Sequence, residues 1–130
     1  MIVVDSSALL AIYFDEPEKA SLAADVVGST RPRMGTPDLF EASMVIEARQ
    51  GEAGSRDLDR VLANLELEIL AFEAGHVAAA RQAFRRFGKG RHRAALNFGD
   101  CCAHALAETL DMPLLFKGND FSLTDIKRVR

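Results

Sequence analysis

Two kinds of apolar pattern alternate along the chain. The first is a short unbroken run. Met1-Ile2-Val3-Val4 is apolar and largely β-branched, and Pro113-Leu114-Leu115-Phe116 repeats the type near the other end. Such runs read as strands buried on both faces. Residues 33–35 make a weaker strand candidate, and 66–72 alternate acid and apolar positions, which also suits a strand. The second pattern has helical spacing. Leu58, Val61, Leu62 and Leu65 line one face, and Val77, Ala80, Phe84 and Phe87 line another.

Start and stop signals frame these segments. Asp5-Ser6-Ser7 precedes a helix over 8–13, and an Asp or Ser there can accept bonds from free N–H groups. Asp15-Glu16-Pro17-Glu18 opens a second helix that runs to about residue 27, with Gly28 as its stop. Thr36-Pro37-Asp38 predicts a helix with Thr36 as cap, carrying Glu41 one turn in and ending near residue 50. Gly51 and Gly54 break it, a loop follows to residue 55, and a helix covers 55–65. Another covers 73–87 and ends at Gly88 and Gly90; Asn97 caps the last, from 98 to about 110. Gly118-Asn119-Asp120 reads as a turn, and 124–129 as one more strand.

Short strands alternating with helices predict an α/β fold with a central, mostly parallel sheet. A length of 130 residues suits one domain, spanning 1–130, with a core that needs no staples. Hydrophobic residues make up 48% of the chain, too many for disorder. No apolar run approaches the roughly 18 residues that a membrane helix needs. The start lacks a basic segment, and Asp5 interrupts it, so no signal peptide is expected. The only cysteines, Cys101 and Cys102, are adjacent and read as reduced thiols of a cytoplasmic protein.

Most of the 19 acids occupy ordinary places, in first turns, polar faces and loops. Four do not. Asp5 directly follows the first strand, and Asp120 follows the strand at 113–116. Glu41 and Asp100 lie in nearly uncharged stretches close to helix starts. In a parallel sheet all four would meet at the carboxyl edge, where such folds bind ligands. Clustered carboxylates repel unless a cation neutralises them, and hard oxygen donors favour Mg²⁺ or Mn²⁺. Local roles remain open at this point. Asp5 serves equally as a helix cap, Asp100 as the acid of a capping box with Asn97, and Asp120 as a turn former. His104 fits either packing or a supporting role beside Asp100. Three histidines without paired spacing argue against zinc.

The net charge of −3 argues against coating nucleic acid by bulk charge. Its distribution changes that picture. Arg81, Arg85, Arg86, Lys89, Arg91 and Arg93 supply six of the 16 basic residues, and no acid lies between Glu73 and Asp100. Such a segment suits a phosphate backbone, or a solvated helix face followed by a mobile loop at 88–90. Ser6 and Ser7 are further candidates for substrate contact, although capping explains them as well.

At these residues the chain resembles the PIN-domain ribonucleases, specifically the VapC-type toxins of bacterial toxin–antitoxin modules. The resemblance is carried by Ile2-Val3-Val4-Asp5-Ser6-Ser7-Ala8, by Phe40-Glu41-Ala42, by Gly88-Lys89-Gly90-Arg91-His92 with Leu96-Asn97-Phe98-Gly99-Asp100-Cys101, and by Pro113 to Phe121 with Thr124-Asp125-Ile126. It implies a PIN-like α/β/α sandwich and an Mg²⁺- or Mn²⁺-dependent endoribonuclease that cuts RNA with metal-activated water. Asp5, Glu41 and Asp100 match the family's metal-binding acids, and Asp120 best matches the fourth, with Asn119 beside it. Ser7, Arg85, Arg86, Lys89, Arg91 and Asn119 are the expected substrate contacts. The resemblance also implies a homodimer, a cognate antitoxin, and operator DNA bound through the antitoxin complex. The rival readings are a catalytically silent binding module, and a phosphatase or DNA nuclease using the same acids.

Overall fold

The computed structural model describes residues 1–129. Among them four strands form one sheet in the order β3-β2-β1-β4, every neighbouring pair parallel. In chain order they are β1 (Val3–Val4), β2 (Arg33–Gly35), β3 (Glu68–Leu70) and β4 (Leu114–Leu115). Between and around them run α1 (Ser6–Tyr13), α2 (Lys19–Val27), α3 (Thr36–Leu65), α4 (Ala74–Phe87) and α5 (Phe98–Leu110). The architecture has the parallel sheet that the alternating pattern predicts and the α/β/α layering that the resemblance implies.

The central strand explains the layering. Side chains alternate along a strand, so Ile2 and Val4 face one way and Val3 the other. Ile2 and Val4 join a core with Leu9, Ile12, Val26, Met34 and Ile46 from the side of α1, α2 and α3. Val3 joins a second core with Phe87, Leu96, Leu106 and Leu114 from the side of α4 and α5. Helix α5 lies under α4 and against the sheet, and Cys101 to Ala107 are buried without a break. Its small residues make that possible, because Ala103, Ala105 and Ala107 let neighbouring backbones approach.

The elements depart from expectation mainly at their ends. Helix α1 starts at Ser6, not residue 8, because Asp5 itself is the cap. Helix α2 starts at Lys19, past the acidic Pro17 segment. Thr36 is not the cap of α3. Gly35 is, since β2 runs into the helix with no loop between them. The loop expected at 51–55 is a kink inside α3, where Gly51 takes φ 66° and ψ −160° while the helix resumes around it. The strand expected over 66–72 shrinks to β3, because Glu66 adopts a left-handed conformation to end α3. The strand expected over 124–129 reduces to one bridge between Arg128 and Leu114, preceded by a 3₁₀ turn at Phe121–Leu123. The 88–90 segment is a closed loop, with Gly88 bridged to Leu96.

Gly51 is the one kink residue whose backbone a side chain would strain, since no L-residue is at ease at those angles. Gly51→Ala is expected to destabilise the protein by about 1–3 kcal/mol in a denaturant melt. An unchanged midpoint would mean that the kink relaxes into ordinary helix.

Candidate active site

Parallel strands send their carboxyl ends to one edge, and the acids follow them there. Asp5 leaves β1 and its N–H bonds the carbonyl of Leu115 at the end of β4 at 2.9 Å. Its carboxylate caps α1, with Oδ2 accepting the Ser7 N–H at 3.0 Å. Asp100 sits in the first turn of α5 in a capping box. Its Oδ2 accepts the Asn97 N–H at 3.0 Å, while the Asn97 side chain accepts the Asp100 N–H at 2.9 Å. Capping and convergence are therefore not rivals. In both residues the cap takes one oxygen and leaves the other.

Glu41 reaches the same place from α3, and two neighbours hold it. Ser6 Oγ donates to Glu41 Oε1 at 2.6 Å. Gly99 gives it room, since a Cβ on that residue would lie 2.5 Å from Oε1 and 2.6 Å from Oε2. Asp120 lies on the exposed loop after β4, close enough for its charge to act on Asp100. The fold thus brings Asp5, Glu41 and Asp120 close enough to Asp100 for their charges to act on it.

A fifth acid joins them. Asp38 sits in the first turn of α3, an ordinary place for an acid, and sequence reasoning passed over it for that reason. It is only 1% exposed, as is Asp5. Burial pushes the Asp38 carboxyl up to about 9, and the charges of Asp5 and Glu41 push the same way. Burial also raises Asp5, against the hydrogen bonds from Ser7 and Asp38 that lower it. Asp5 and Asp38 thus hold a proton between them in the metal-free protein. Asp100 is pushed up to about 6, first by burial and then by Asp5, Asp120 and Glu41, against the Asn97 hydrogen bond. The two thiols behind the site, Cys101 and Cys102, are free and buried, and Cys102 is pushed up to about 12 by burial and nearby carboxylates. Neither is a nucleophile at neutral pH.

The residues fit a divalent cation. Asp5 Oδ1 and Asp38 Oδ1 are buried and meet no N–H or hydroxyl donor, so in the metal-free protein only a proton held between the two carboxyls satisfies them. The remaining donors around them are carboxylate oxygens, the set that hard cations prefer. A proton or a cation must occupy that position, because bare like charges at this depth are too costly.

The expected substrate residues are placed less uniformly. Ser7 Oγ accepts the Lys117 N–H at 3.0 Å, so Ser7 ties α1 to the end of β4. Arg86 is paired with Asp125 and lies over the Phe87 ring. Arg85, Lys89 and Arg91 edge a groove of about 730 Å³ between α4 and the start of α5, floored by Phe84, Leu96 and Phe98. Arg91 lies 5.0 Å over the Phe84 ring. Phe84 and Phe98 are 42% and 77% exposed, so the groove has an apolar floor and a basic rim. Asn119 is exposed, and its carbonyl accepts the Ser122 N–H at 3.0 Å.

A parallel sheet with buried acids at its carboxyl edge defines an α/β protein with a cation-binding edge. The model of the PIN domain family matches residues 2–127. The chain belongs to that family, among the VapC ribonucleases. It is 47% identical over 128 residues to a Ribonuclease VapC of Mycolicibacterium smegmatis, covering 98% of this chain and 99% of that one. The crystal structure of Mycobacterium tuberculosis VapC20, a Sarcin-Ricin loop cleaving toxin, has the same fold, with TM-score 0.79 and 14% identity over 100% of this chain and 99% of that chain. So does VapBC2 from Rickettsia felis bound to a promoter DNA fragment, with TM-score 0.75 and 16% identity over 98% and 97% of the two chains.

The raised carboxyls have a consequence for the metal-free protein. Unfolding returns Asp38 and Asp100 to ordinary carboxylates near 3.8. The folded state therefore holds more protons between about pH 4 and pH 9, and stability must fall as pH rises through that window. Urea melts in chelator at pH 5, 7 and 9 are expected to show this decline, and Mg²⁺ is expected to reverse it. Asp38→Asn should flatten it and stabilise the metal-free protein at pH 9 by about 1–3 kcal/mol. Stability rising from pH 5 to pH 9 would contradict the assignment.

Proposed function

We propose that the chain is an Mg²⁺- or Mn²⁺-dependent endoribonuclease, the toxin of a toxin–antitoxin pair. The observation that carries this reading is the buried Asp5 Oδ1, which no N–H or hydroxyl group reaches and which lies among the carboxyls of Asp38, Glu41 and Asp100. Asp5, Glu41 and Asp100 would hold the ion, and Asp120 would complete the cluster at the mouth. When bound, the ion supplies positive charge against the reacting phosphodiester and acidifies water.

The chain's own groups supply the rest. The two caps fix Asp5 and Asp100 by Oδ2 and leave the other oxygen of each outside the cap. Ser6 fixes the Glu41 rotamer. A carboxylate oxygen of the cluster left free by the ion would take a proton from the attacking water. Water adds to phosphorus in line with the departing 3′-oxygen, which leaves with a proton from solvent. Arg85, Lys89 and Arg91 hold flanking phosphates along the groove rim, where all three charges edge one cavity. RNA as substrate class is supported by the ribonuclease and Sarcin-Ricin names of the relatives. The promoter-bound VapBC2 complex supports an antitoxin partner, with operator DNA bound through that partner. An antitoxin segment would cover the exposed Phe84 and Phe98. A homodimer completes the proposal.

Purified, antitoxin-free protein is expected to cut structured RNA with Mg²⁺ and not in chelator. Asp5→Asn and Asp100→Asn should each lower the rate at least about a hundredfold, and Gly99→Ala about 10–100-fold by displacing Glu41. Equal rates in Asp5→Asn and wild type would sink the proposal, and preferential cleavage of single-stranded DNA or a phosphate ester would redirect it. Replacing Arg85, Lys89 and Arg91 with Gln should weaken RNA binding and flatten its salt dependence by roughly one phosphate contact per residue. A salt slope unchanged in the triple variant would remove that rim from the binding surface.

A further inference from the structure

We infer that His104, Glu108 and Asp125 form a second cation site, suited to Zn²⁺ or a similar transition ion, which clips the C-terminal segment to α5. It is separate from the acid crevice and does not rest on the ribonuclease reading.

His104 and Glu108 are one turn apart on α5, and Asp125 follows the 3₁₀ turn at Phe121–Leu123. One imidazole nitrogen and one oxygen from each carboxylate lie within 4.8 Å of one another. His104 is 1% exposed, and neither ring nitrogen has a hydrogen-bond partner. Yet each nitrogen faces an acid. Nδ1 is 3.8 Å from Glu108 Oε2, and Nε2 is 3.5 Å from Asp125 Oδ1.

That arrangement conflicts with a neutral imidazole. Neutral histidine has one N–H and one lone pair, so one of the two carboxylates must face the lone pair. Protonation would answer both acids. Burial opposes it, however, and pulls the His104 pKa down despite Glu108 and Asp125, with Arg86 adding to the opposition. A divalent cation resolves the conflict. It takes the lone pair and a carboxylate oxygen, and the remaining N–H points to an acid, as supporting carboxylates do around metal-bound histidines.

The surroundings agree. An imidazole nitrogen with one ligating and one supporting carboxylate suits Zn²⁺ better than Mg²⁺, which prefers oxygen alone. Arg86 from α4 occupies Asp125 Oδ2 and leaves Oδ1 turned to the imidazole. The Phe87 ring, 5.7 Å from the His104 ring, covers the apolar side. Lys127 is paired with Asp111 at 2.6 Å, so it does not compete for these acids. A cavity of about 200 Å³ borders Glu108 and Asp125. Histidine spacing alone argued against zinc, because the partners of His104 are carboxylates and one of them comes from a distant segment.

The test is a Co²⁺ titration of the full chain in excess Mg²⁺, read by visible absorption, with Zn²⁺-dependent melting alongside. The expected result is one equivalent of Co²⁺ with a ligand-field band, a raised melting midpoint with Zn²⁺, and loss of both in His104→Asn. Glu108→Gln and Asp125→Asn should each weaken Co²⁺ about tenfold or more. Glu108 is half-exposed, so its variant keeps the test valid if His104→Asn fails to fold. Binding that survives both carboxylate changes belongs to His76 or His92 and overturns the inference. So does wild-type protein with no Co²⁺ band whose midpoint responds only to acid, since a proton then sits where the ion was placed.

Discussion

The bond between the Asp5 carboxylate and the Ser7 N–H, 3.0 Å long, joins the central strand to the first helix. Much of the site depends on that joint. Residue 5 must leave β1, turn the chain, and satisfy an orphan N–H of α1. An aspartate does all three and still has an oxygen to spare. The capping box of α5 repeats the solution with Asp100 and Asn97. Two ordinary pieces of helix-end chemistry thus become two aimed carboxylates. Their precision comes from backbone bonds, which are harder to displace than side-chain packing.

The same arrangement carries a cost that the fold must bear. Asp5 and Asp38 are buried together, and Glu41 and Asp100 lie beside them. Burial and mutual repulsion both favour protonation, so the crevice holds protons until something better neutralises it. A cation that displaces those protons gains attraction and relieves strain at once. The core around the site is correspondingly firm. Val3, Val4, Leu106 and Leu114 are almost fully buried directly beneath it. Gly99 shows how tight the fit is, because one methyl group there would collide with both Glu41 oxygens.

Legibility in the sequence followed locality. The runs at 1–4 and 113–116 announced buried parallel strands because both faces of such strands are apolar. Glu41 and Asp100 stood out because they lie in nearly uncharged stretches, and Asp5 because it directly follows a strand. Asp38 did not, since an acid in a first turn needs no explanation. Only β2 running straight into α3 reveals that this first turn is buried against Asp5. Element ends were less legible for a related reason. Glu66 and Asp111 end their helices in a left-handed conformation with no glycine to signal it, and the glycine at 51 kinks a helix without ending it.

By itself the sequence determined the class of fold, the order of its elements, and most of the acids that gather at one edge. Periodicity and helix-end chemistry are local, and local rules can be read along a chain. Tertiary structure alone decided which basic residues stay free, that Ser7 ties two elements together, and that His104 meets Asp125. Those outcomes depend on distances between segments far apart in the chain. Burial is likewise a property of the whole fold, and it turns an ordinary carboxylate such as Asp38 into a proton-holding group.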